Sequence, residues 1–127
     1  MRIIKIAALA TAAFLSTPAT TVSAESEAYF MIQVVVPDAR SRAVSLTCAP
    51  DGGAHPRPAA SCALLESVEG DMSRYPGEVG ACTREYQPYR VSLRGQWAGR
   101  GISYWRTFAN HCEMLRATGP VFDLRPV

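Results

Sequence analysis

The sequence predicts an α+β domain in which helices cover one face of an antiparallel sheet. Two observations on the order of elements lead to this fold class: segments with strand character come first and last, and two segments with helical character lie between them. The third observation is size. Roughly one hundred residues follow an N-terminal signal, which suits one small domain with one modest core.

Residues 1–24 have the pattern of a secretory signal peptide. Residues 1–5 form a short basic segment, and residues 6–15 form an apolar run. Val22-Ser23-Ala24 then offers small residues where a signal peptidase cuts. The apolar run is shorter than the roughly 20 residues of a membrane-spanning helix. We therefore expect a secreted, extracellular protein whose domain spans residues 25–127, with no membrane attachment after signal removal.

The predicted mature chain carries no excess of either charge. Arg2 and Lys5 belong to the signal and account for two of the 13 Lys and Arg residues, so the remaining 11 balance the 11 Asp and Glu residues. Electrostatic binding to nucleic acid or to an anionic membrane requires a basic surface. We predict neither partner.

All four cysteines lie in the part predicted to be exported, at Cys48, Cys62, Cys82 and Cys112. An oxidising compartment favours two disulfides, but spacing alone does not choose among the three possible pairings. A structural zinc site usually contains a close Cys-x-x-Cys pair, which this chain lacks. We predict no metal and no cofactor.

The first half of the domain predicts two strands, a loop and a helix. Residues 29–36 are apolar and β-branched and end at a Pro-Asp pair, which indicates a strand with two largely apolar faces, one of them suited to cover by another molecule. Residues 43–48 alternate as a half-buried strand does. Three prolines and two glycines make residues 49–58 a loop, and apolar residues at helical spacing predict a helix from residue 59 to about 68.

The second half predicts a hairpin, a short helix and a last strand. Residues 70–81 are polar and are predicted to lack regular structure. Two alternating runs, at residues 89–94 and 101–108, flank a turn at 98–101 and so predict a hairpin. Residues 109–117 suit a short helix that ends at Gly119-Pro120, and residues 121–124 suit an edge strand.

Residues 80–88 are predicted to form an exposed loop between Gly80 and Pro88, because the residues between them offer no apolar face. Cys82 fixes this loop two residues before Arg84. An arginine side chain is a charged fork that the carboxylate of a trypsin-like specificity pocket binds. The loop alone is consistent either with protease binding through Arg84 or with an ordinary solvated surface.

A longer pattern surrounds the first two cysteines. Residues 48–56 read Cys-Ala-Pro-Asp-Gly-Gly-Ala-His-Pro, and four residues later residues 61–65 read Ser-Cys-Ala-Leu-Leu. This pattern resembles the signature of the Streptomyces subtilisin inhibitor family, from which only Ser61 departs, since alanine is usual there. The resemblance continues through Cys82-Thr83-Arg84, the hairpin at residues 97–104 and residues 108–114.

The resemblance implies a fold, a function and a set of site residues. The fold would be a five-stranded antiparallel sheet with two helices, the bridges Cys48–Cys62 and Cys82–Cys112, and a homodimer formed through the sheet. The function would be tight-binding, substrate-like inhibition of serine proteases, both trypsin-like and subtilisin-like, by a protein that is not an enzyme. The scissile bond would be Arg84–Glu85, with Asn110 supporting the loop from behind and the remaining protease contacts made by Cys82, Thr83, Tyr86 and Gln87.

Three features depart from the pattern that the resemblance implies. Thr83 stands where the family often has proline, and acidic Glu85 stands where apolar residues are familiar. Residues 124–127 extend past the aromatic residue near which relatives tend to stop.

Two other functions are compatible with parts of the sequence. A small secreted hydrolase, such as a ribonuclease, could use His55 and His111 with Glu113 or an arginine. The simpler interpretation makes His55 a hydrogen-bonded structural residue and places His111 at the surface. A secreted interaction module without protease targets could instead use the aromatic residues Tyr86, Tyr104 and Trp105.

Overall fold

The computed structural model describes residues 9–20 and 27–127. The predicted cleavage position at Ala24 lies outside these residues. Within them, no helix combines the length and the apolar character needed to cross a membrane.

One antiparallel sheet of five strands organises the domain. In chain order the strands are β1 (Ala28–Val36), β2 (Arg40–Cys48), β3 (Gly52–Gly53), β4 (Tyr89–Trp97) and β5 (Arg100–Phe108). In space their order is β3-β2-β1-β4-β5, so that the predicted hairpin forms one edge. The most apolar strand, β1, lies in the centre, where Ile32 pairs with Val44 on one side and Leu93 on the other.

Two α-helices and two short 3₁₀ helices complete the domain. They are α1 (Pro58–Ser67), α2 (His111–Thr118) and the 3₁₀ helices Met72–Arg74 and Gly119–Phe122. Proline in the first turn of α1 costs no hydrogen bond, because the first amides of a helix have no partner within it. The α+β fold, with a five-stranded antiparallel sheet, two helices and two disulfides, is confirmed.

The core lies between the sheet and the helical segments. Alternate residues of β1, beginning with Phe30 and Ile32, point into it, while Tyr29 and Met31 on the other face are 48% and 43% exposed. Burying one large apolar side chain stabilises a fold by about 1.5–3 kcal/mol, so this one-sided pattern fixes the register of the central strand. The covering layer contributes Leu65, Met114, Val121 and Phe122, all almost fully buried.

The prediction of an edge strand at residues 121–124 is wrong. Residues 119–122 form a 3₁₀ helix instead, and Val121 and Phe122 are buried in the core. Pro120 lies in the first turn of this helix, where its fixed φ is favourable and its missing N–H is not needed. A short apolar run has the same composition whether it becomes a strand or a buried turn, so the sequence pattern did not separate the two.

Two short elements occur in segments that were predicted to be irregular. Strand β3 lies within the loop of residues 49–58 and pairs Gly53 with Leu46. A side chain at position 53 would place its Cβ 2.6 Å from the Ser45 carbonyl oxygen, and the positive φ of 92° also favours glycine. In residues 70–81, Asp71 caps the 3₁₀ helix Met72–Arg74 by accepting a hydrogen bond from the Ser73 amide.

Candidate functional site

The loop before β4 extends from the sheet as irregular, exposed backbone. Residues 75–88 contain neither helix nor strand, and residues 83–87 are all exposed. The Tyr86 side chain is 81% exposed. Arg84 and Glu85 therefore present both their side chains and the peptide bond between them to solvent.

A disulfide joins this loop to helix α2. Cys82 is bonded to Cys112 in the first turn of the helix, with 5.8 Å between the two Cα atoms and a sequence separation of 30. The other bridge joins Cys48, at the end of β2, to Cys62 on α1. These are the pairings that the family resemblance implies. The Cys82 bridge fixes the chain two residues before Arg84.

Asn110 holds the loop from beneath. Its side chain is buried, and its amide Nδ2 donates two hydrogen bonds of 3.0 Å, one to the Thr83 carbonyl and one to the Glu85 carbonyl. Its Oδ1 accepts a 2.9 Å bond from the Glu113 amide and so caps the N-terminus of α2. The two carbonyls lie on either side of Arg84. One side chain therefore fixes the backbone before and after the exposed arginine.

Further bonds tie the ends of the loop to the same helix. After Arg84, the Gln87 amide donates a 2.9 Å bond to the Ala109 carbonyl, immediately before the helix. Before Arg84, the guanidinium of Arg116 donates to the Gly80 carbonyl and pairs with Glu113 at 2.9 Å. The Arg116 carbonyl also accepts a 2.8 Å bond from the Glu78 amide.

Arg116 is a supporting residue that the sequence analysis missed. Its only sequence signal is the i,i+3 spacing from Glu113, which ordinary surface helices also show. The contact with Gly80 spans 36 residues, and it depends on how α2 packs against the loop.

This arrangement presents an exposed peptide whose neighbouring backbone is already ordered. The carbonyls of Thr83 and Glu85 each accept a bond from Asn110. The bond between the side chains of Thr83 and Glu85 is at the distance limit, 3.5 Å, and adds little. The helix and the disulfide therefore supply most of the order, and the loop's own side chains stay available to a partner.

His55 does not have a ring nitrogen free for catalysis. It is 4% exposed, its Nε2 lies 2.9 Å from the Val121 carbonyl oxygen, and its Nδ1 accepts a 2.9 Å bond from the Arg57 amide. These partners select the neutral tautomer with the proton on Nε2. Burial lowers the pKa of His55, against the opposing effect of the bond to Val121. The geometry agrees with the simpler interpretation of His55 as a structural residue.

The other residues of the rival functions occupy different settings. His111 is half-buried, rather than at the surface, with its ring centroid 5.3 Å from that of Tyr89. Burial, and then the positive charge of Arg125, lowers the pKa of His111. Tyr104 packs on Phe122 in the core, whereas Trp105 is 77% exposed on the opposite face of the sheet.

The domain combines a small disulfide-bonded α+β fold with an exposed loop held by Asn110. The chain belongs to the subtilisin inhibitor-like family, whose model matches residues 31–110. The matched region runs from β1 to Asn110. It therefore includes most of the sheet, helix α1 and the exposed loop, and it ends immediately before helix α2.

Relatives and a solved structure agree with this membership. Subtilisin inhibitor-like protein 1 of Streptomyces cacaoi is 46% identical over 85 residues, covering 64% of this chain and 77% of the relative. The subtilase-type protease inhibitor of Streptomyces coelicolor is 49% identical over 83 residues, covering 64% of this chain and 58% of the relative. Both relatives are described as inhibitors, and the family is one of inhibitors rather than enzymes.

The fold is also similar to that of sermetstatin from Streptomyces caespitosus, which was crystallised in complex with subtilisin from Bacillus licheniformis. The TM-score is 0.57 and the sequence identity is 28%. The match covers 76% of this chain and 96% of sermetstatin.

Proposed function

We propose that this protein is a secreted, substrate-like inhibitor of serine proteases that presents the Arg84–Glu85 peptide bond to the protease active site. The observation that carries the proposal is the pair of hydrogen bonds from Asn110 to the carbonyls of Thr83 and Glu85. They hold the backbone on both sides of one exposed arginine, in a loop already tied by the bridge from Cys82 to Cys112.

Rigidity is what turns a substrate into an inhibitor. A serine protease holds the scissile carbonyl against its nucleophile and stabilises the oxyanion that forms. After cleavage, the new amine on Glu85 would stay close to the acyl-enzyme, because Asn110 still holds the Glu85 carbonyl. Resealing then competes with hydrolysis. A pre-ordered loop also loses less entropy on binding, which increases affinity without adding contact area.

Two kinds of protease are proposed as targets. The similarity to an inhibitor crystallised with subtilisin supports subtilisin-like enzymes. Trypsin-like enzymes are supported by Arg84, which is exposed and whose guanidinium would suit a pocket with a carboxylate at its base. Tyr86 and Gln87 are exposed after the proposed scissile bond and would contact the protease surface.

Titration of trypsin and subtilisin with the purified protein tests this proposal. Truncating a central interface arginine commonly costs more than about 2 kcal/mol, or roughly thirtyfold in affinity. Arg84→Ala should therefore weaken trypsin inhibition sharply and subtilisin inhibition mildly. Arg90→Ala and Arg94→Ala are matched controls, because both arginines are exposed on β4 beyond the loop.

Two results would contradict the assignment of the scissile bond. One is trypsin inhibition that survives Arg84→Ala unchanged. The other is slowly cleaved inhibitor whose new N-terminus is not Glu85.

We also propose that the protein is exported and that it forms a homodimer. Two disulfides and the pattern of residues 1–24 support secretion. N-terminal sequencing of protein from the culture medium should begin near Glu25. Retention of the intact chain inside the cell would count against export.

A homodimer through the sheet is supported by the face opposite the helices. Tyr29, Met31 and Trp105 are 48%, 43% and 77% exposed there. Large apolar and aromatic side chains exposed together on one face are often covered by a partner. Sedimentation should give a dimer that Met31→Glu dissociates, whereas a parent protein that is monomeric at micromolar concentration would contradict the proposal.

A further inference from the structure

A groove of about 410 Å³ lies away from the scissile bond, between the end of β1, the start of β2 and the C-terminal segment. Among its apolar and aromatic lining residues, Val36 and Tyr89 are partly exposed, whereas Val34, Phe122 and Leu124 are buried. Sites for small molecules are usually concave, of about 300–1,000 Å³, and mostly apolar with a few polar groups. The groove has this size and composition.

The polar groups that line the groove are basic. Arg40, Arg42 and Arg125 lie at its rim, and none of the lining residues is acidic. Arg125 is neutralised locally, because its guanidinium makes two bonds, of 2.8 and 2.9 Å, to the carboxylate of Asp123. The remaining positive charge comes from Arg40 and Arg42.

The sheet register brings these two arginines to the apolar surface. Arg40 pairs with Val36 and Arg42 with Val34, so both arginines stand on the strand beside the valines that line the groove. They are two residues apart and therefore point to the same face of β2. Arg42 uses one nitrogen to donate to the Leu124 carbonyl, which leaves its other N–H groups available. Both side chains are exposed at the rim.

We infer that this groove binds a small carboxylate with an apolar tail, such as a medium-chain fatty acid. The carboxylate accepts hydrogen bonds from Arg40 and Arg42, and the tail lies on the partly exposed side chains of Val36 and Tyr89. Charge complementarity selects this occupant, because guanidinium groups favour a carboxylate and repel an organic cation. The apolar surface selects an anion with a tail over acetate or another small anion.

The groove is separate from the proposed scissile bond, but it adjoins the segments that hold the loop in place. Tyr89 and His111 form part of its wall. Tyr89 follows Pro88 at the end of the loop, and His111 follows Asn110. Their ring signals therefore provide a spectroscopic report of binding. The inference goes beyond the proposed inhibition and does not depend on it.

Titration of the intact protein with decanoate, followed by NMR and calorimetry, tests the site. Saturable binding with shifts at Tyr89 and His111 is expected, while acetate and decyltrimethylammonium at the same concentrations should bind at least about tenfold more weakly. Arg40→Gln with Arg42→Gln should weaken decanoate binding by about tenfold or more. Arg90→Gln with Arg94→Gln changes the charge equally on the opposite face of the sheet and should leave binding unchanged.

Arg40→Gln alone separates a loss of binding from a folding defect, because Arg42 also donates a hydrogen bond to the C-terminal segment and Arg40→Gln leaves that bond in place. It should weaken decanoate binding several-fold while the circular dichroism spectrum stays that of the parent. Equal binding of decanoate and decyltrimethylammonium, equal loss in the Arg90 and Arg94 control, or association only with anionic phospholipid vesicles and not with free decanoate would overturn the inference.

Discussion

Each disulfide of this protein stands beside a loop, and the two loops are held in opposite ways. Residues 49–57, between Cys48 and Cys62, pair with the sheet through β3 and bury His55 to 4% exposure. Residues 81–88, which include Cys82, stand outside the sheet with almost every side chain exposed. The first loop turns towards the core, and the second turns away from it.

The difference shows how an exposed loop can be ordered. The first loop is ordered by its pairing with β2 and by one buried side chain, His55, and burial hides that side chain from any partner. The second uses bonds from Asn110 and Arg116 to backbone carbonyls, which leave the loop's side chains free. Hydrogen bonds to the backbone therefore combine order with exposure, which the proposed substrate-like inhibition requires.

Removing the Cys82–Cys112 bridge should have the largest effect on inhibition. A change of both cysteines to alanine frees the chain next to Arg84, and reordering two residues costs about 1–2 kcal/mol each, or roughly a hundredfold in affinity. The matched change at Cys48 and Cys62 should lower stability by about 3 kcal/mol but leave the affinity of the folded protein nearly unchanged. Inhibition constants and urea unfolding would measure both. Equal losses of affinity in the two variants would remove the distinction between the loops.

Replacing Asn110 should separate loop support from helix capping. Asn110→Ala loses the two loop bonds and the cap, whereas Asn110→Ser keeps a capping oxygen but cannot reach both carbonyls. Both variants should inhibit roughly tenfold or more weakly, at about 1 kcal/mol for each lost bond. Only the alanine variant should lose about a further 1 kcal/mol of stability. If the serine variant inhibits as the parent does, Asn110 acts only as a cap.

Replacing Arg116 should give a smaller effect at the start of the loop. Arg116→Met keeps much of the side chain's length but cannot donate to the Gly80 carbonyl, and an exposed bond of this kind is worth about 0.5–1 kcal/mol. Cleavage of the loop at excess protease should become about two- to fivefold faster. Glu113→Gln removes the ion pair and keeps the Gly80 bond, so it should change the rate less. If Glu113→Gln speeds cleavage more than Arg116→Met does, the ion pair supports the loop more than the bond to Gly80.

Acidification should lower the stability of the fold through His55, the buried residue of the loop between Cys48 and Cys62. Burial holds the pKa of His55 below its ordinary value of 6.5, so the folded state binds fewer protons than the unfolded state once the pH falls below about 6.5. Stability should therefore be constant above about pH 7 and decrease as the pH falls through the lowered pKa. The free energy of unfolding in urea between pH 7 and 5 would show this slope. His111 adds to it, since burial lowers its pKa as well.

His55→Gln and His111→Gln together assign the slope. Each variant should lose the part of the slope that its histidine contributes. His55→Gln should lose the larger part if the loop of residues 49–57 is the more pH-sensitive region. An unchanged slope in His55→Gln would show that this loop does not carry the pH dependence.

Local patterns predicted most of the fold. The strands at residues 29–36 and 43–48, the hairpin and both helices appear near their predicted places, because alternation and helical spacing reflect burial on one face. The pattern failed at residues 121–124, where core packing turned an apolar run into a 3₁₀ helix. It also missed β3, because two glycines in a proline-rich loop give the signal of a turn.

Part of the candidate site was predictable from the sequence. The exposed loop indicated Cys82 and Arg84, the family resemblance added Asn110, and the structure places Asn110 against the backbone on both sides of Arg84. Arg116 could not be identified, because its role arises from tertiary packing between segments 36 residues apart. The basic groove was hidden for the same reason, since it joins residues from distant parts of the chain.

The dependence of the loop on α2 limits how far the protein can be miniaturised. A cyclic peptide that copied residues 80–88 would carry the arginine, but it would lack the amide of Asn110 and the guanidinium of Arg116, which come from residues 25 to 36 positions later. Its Thr83 and Glu85 carbonyls would bond to water, and a protease would cleave it as a flexible substrate. A transplanted form of the proposed inhibitory loop should therefore keep helix α2 with it, on a scaffold that preserves their relative position.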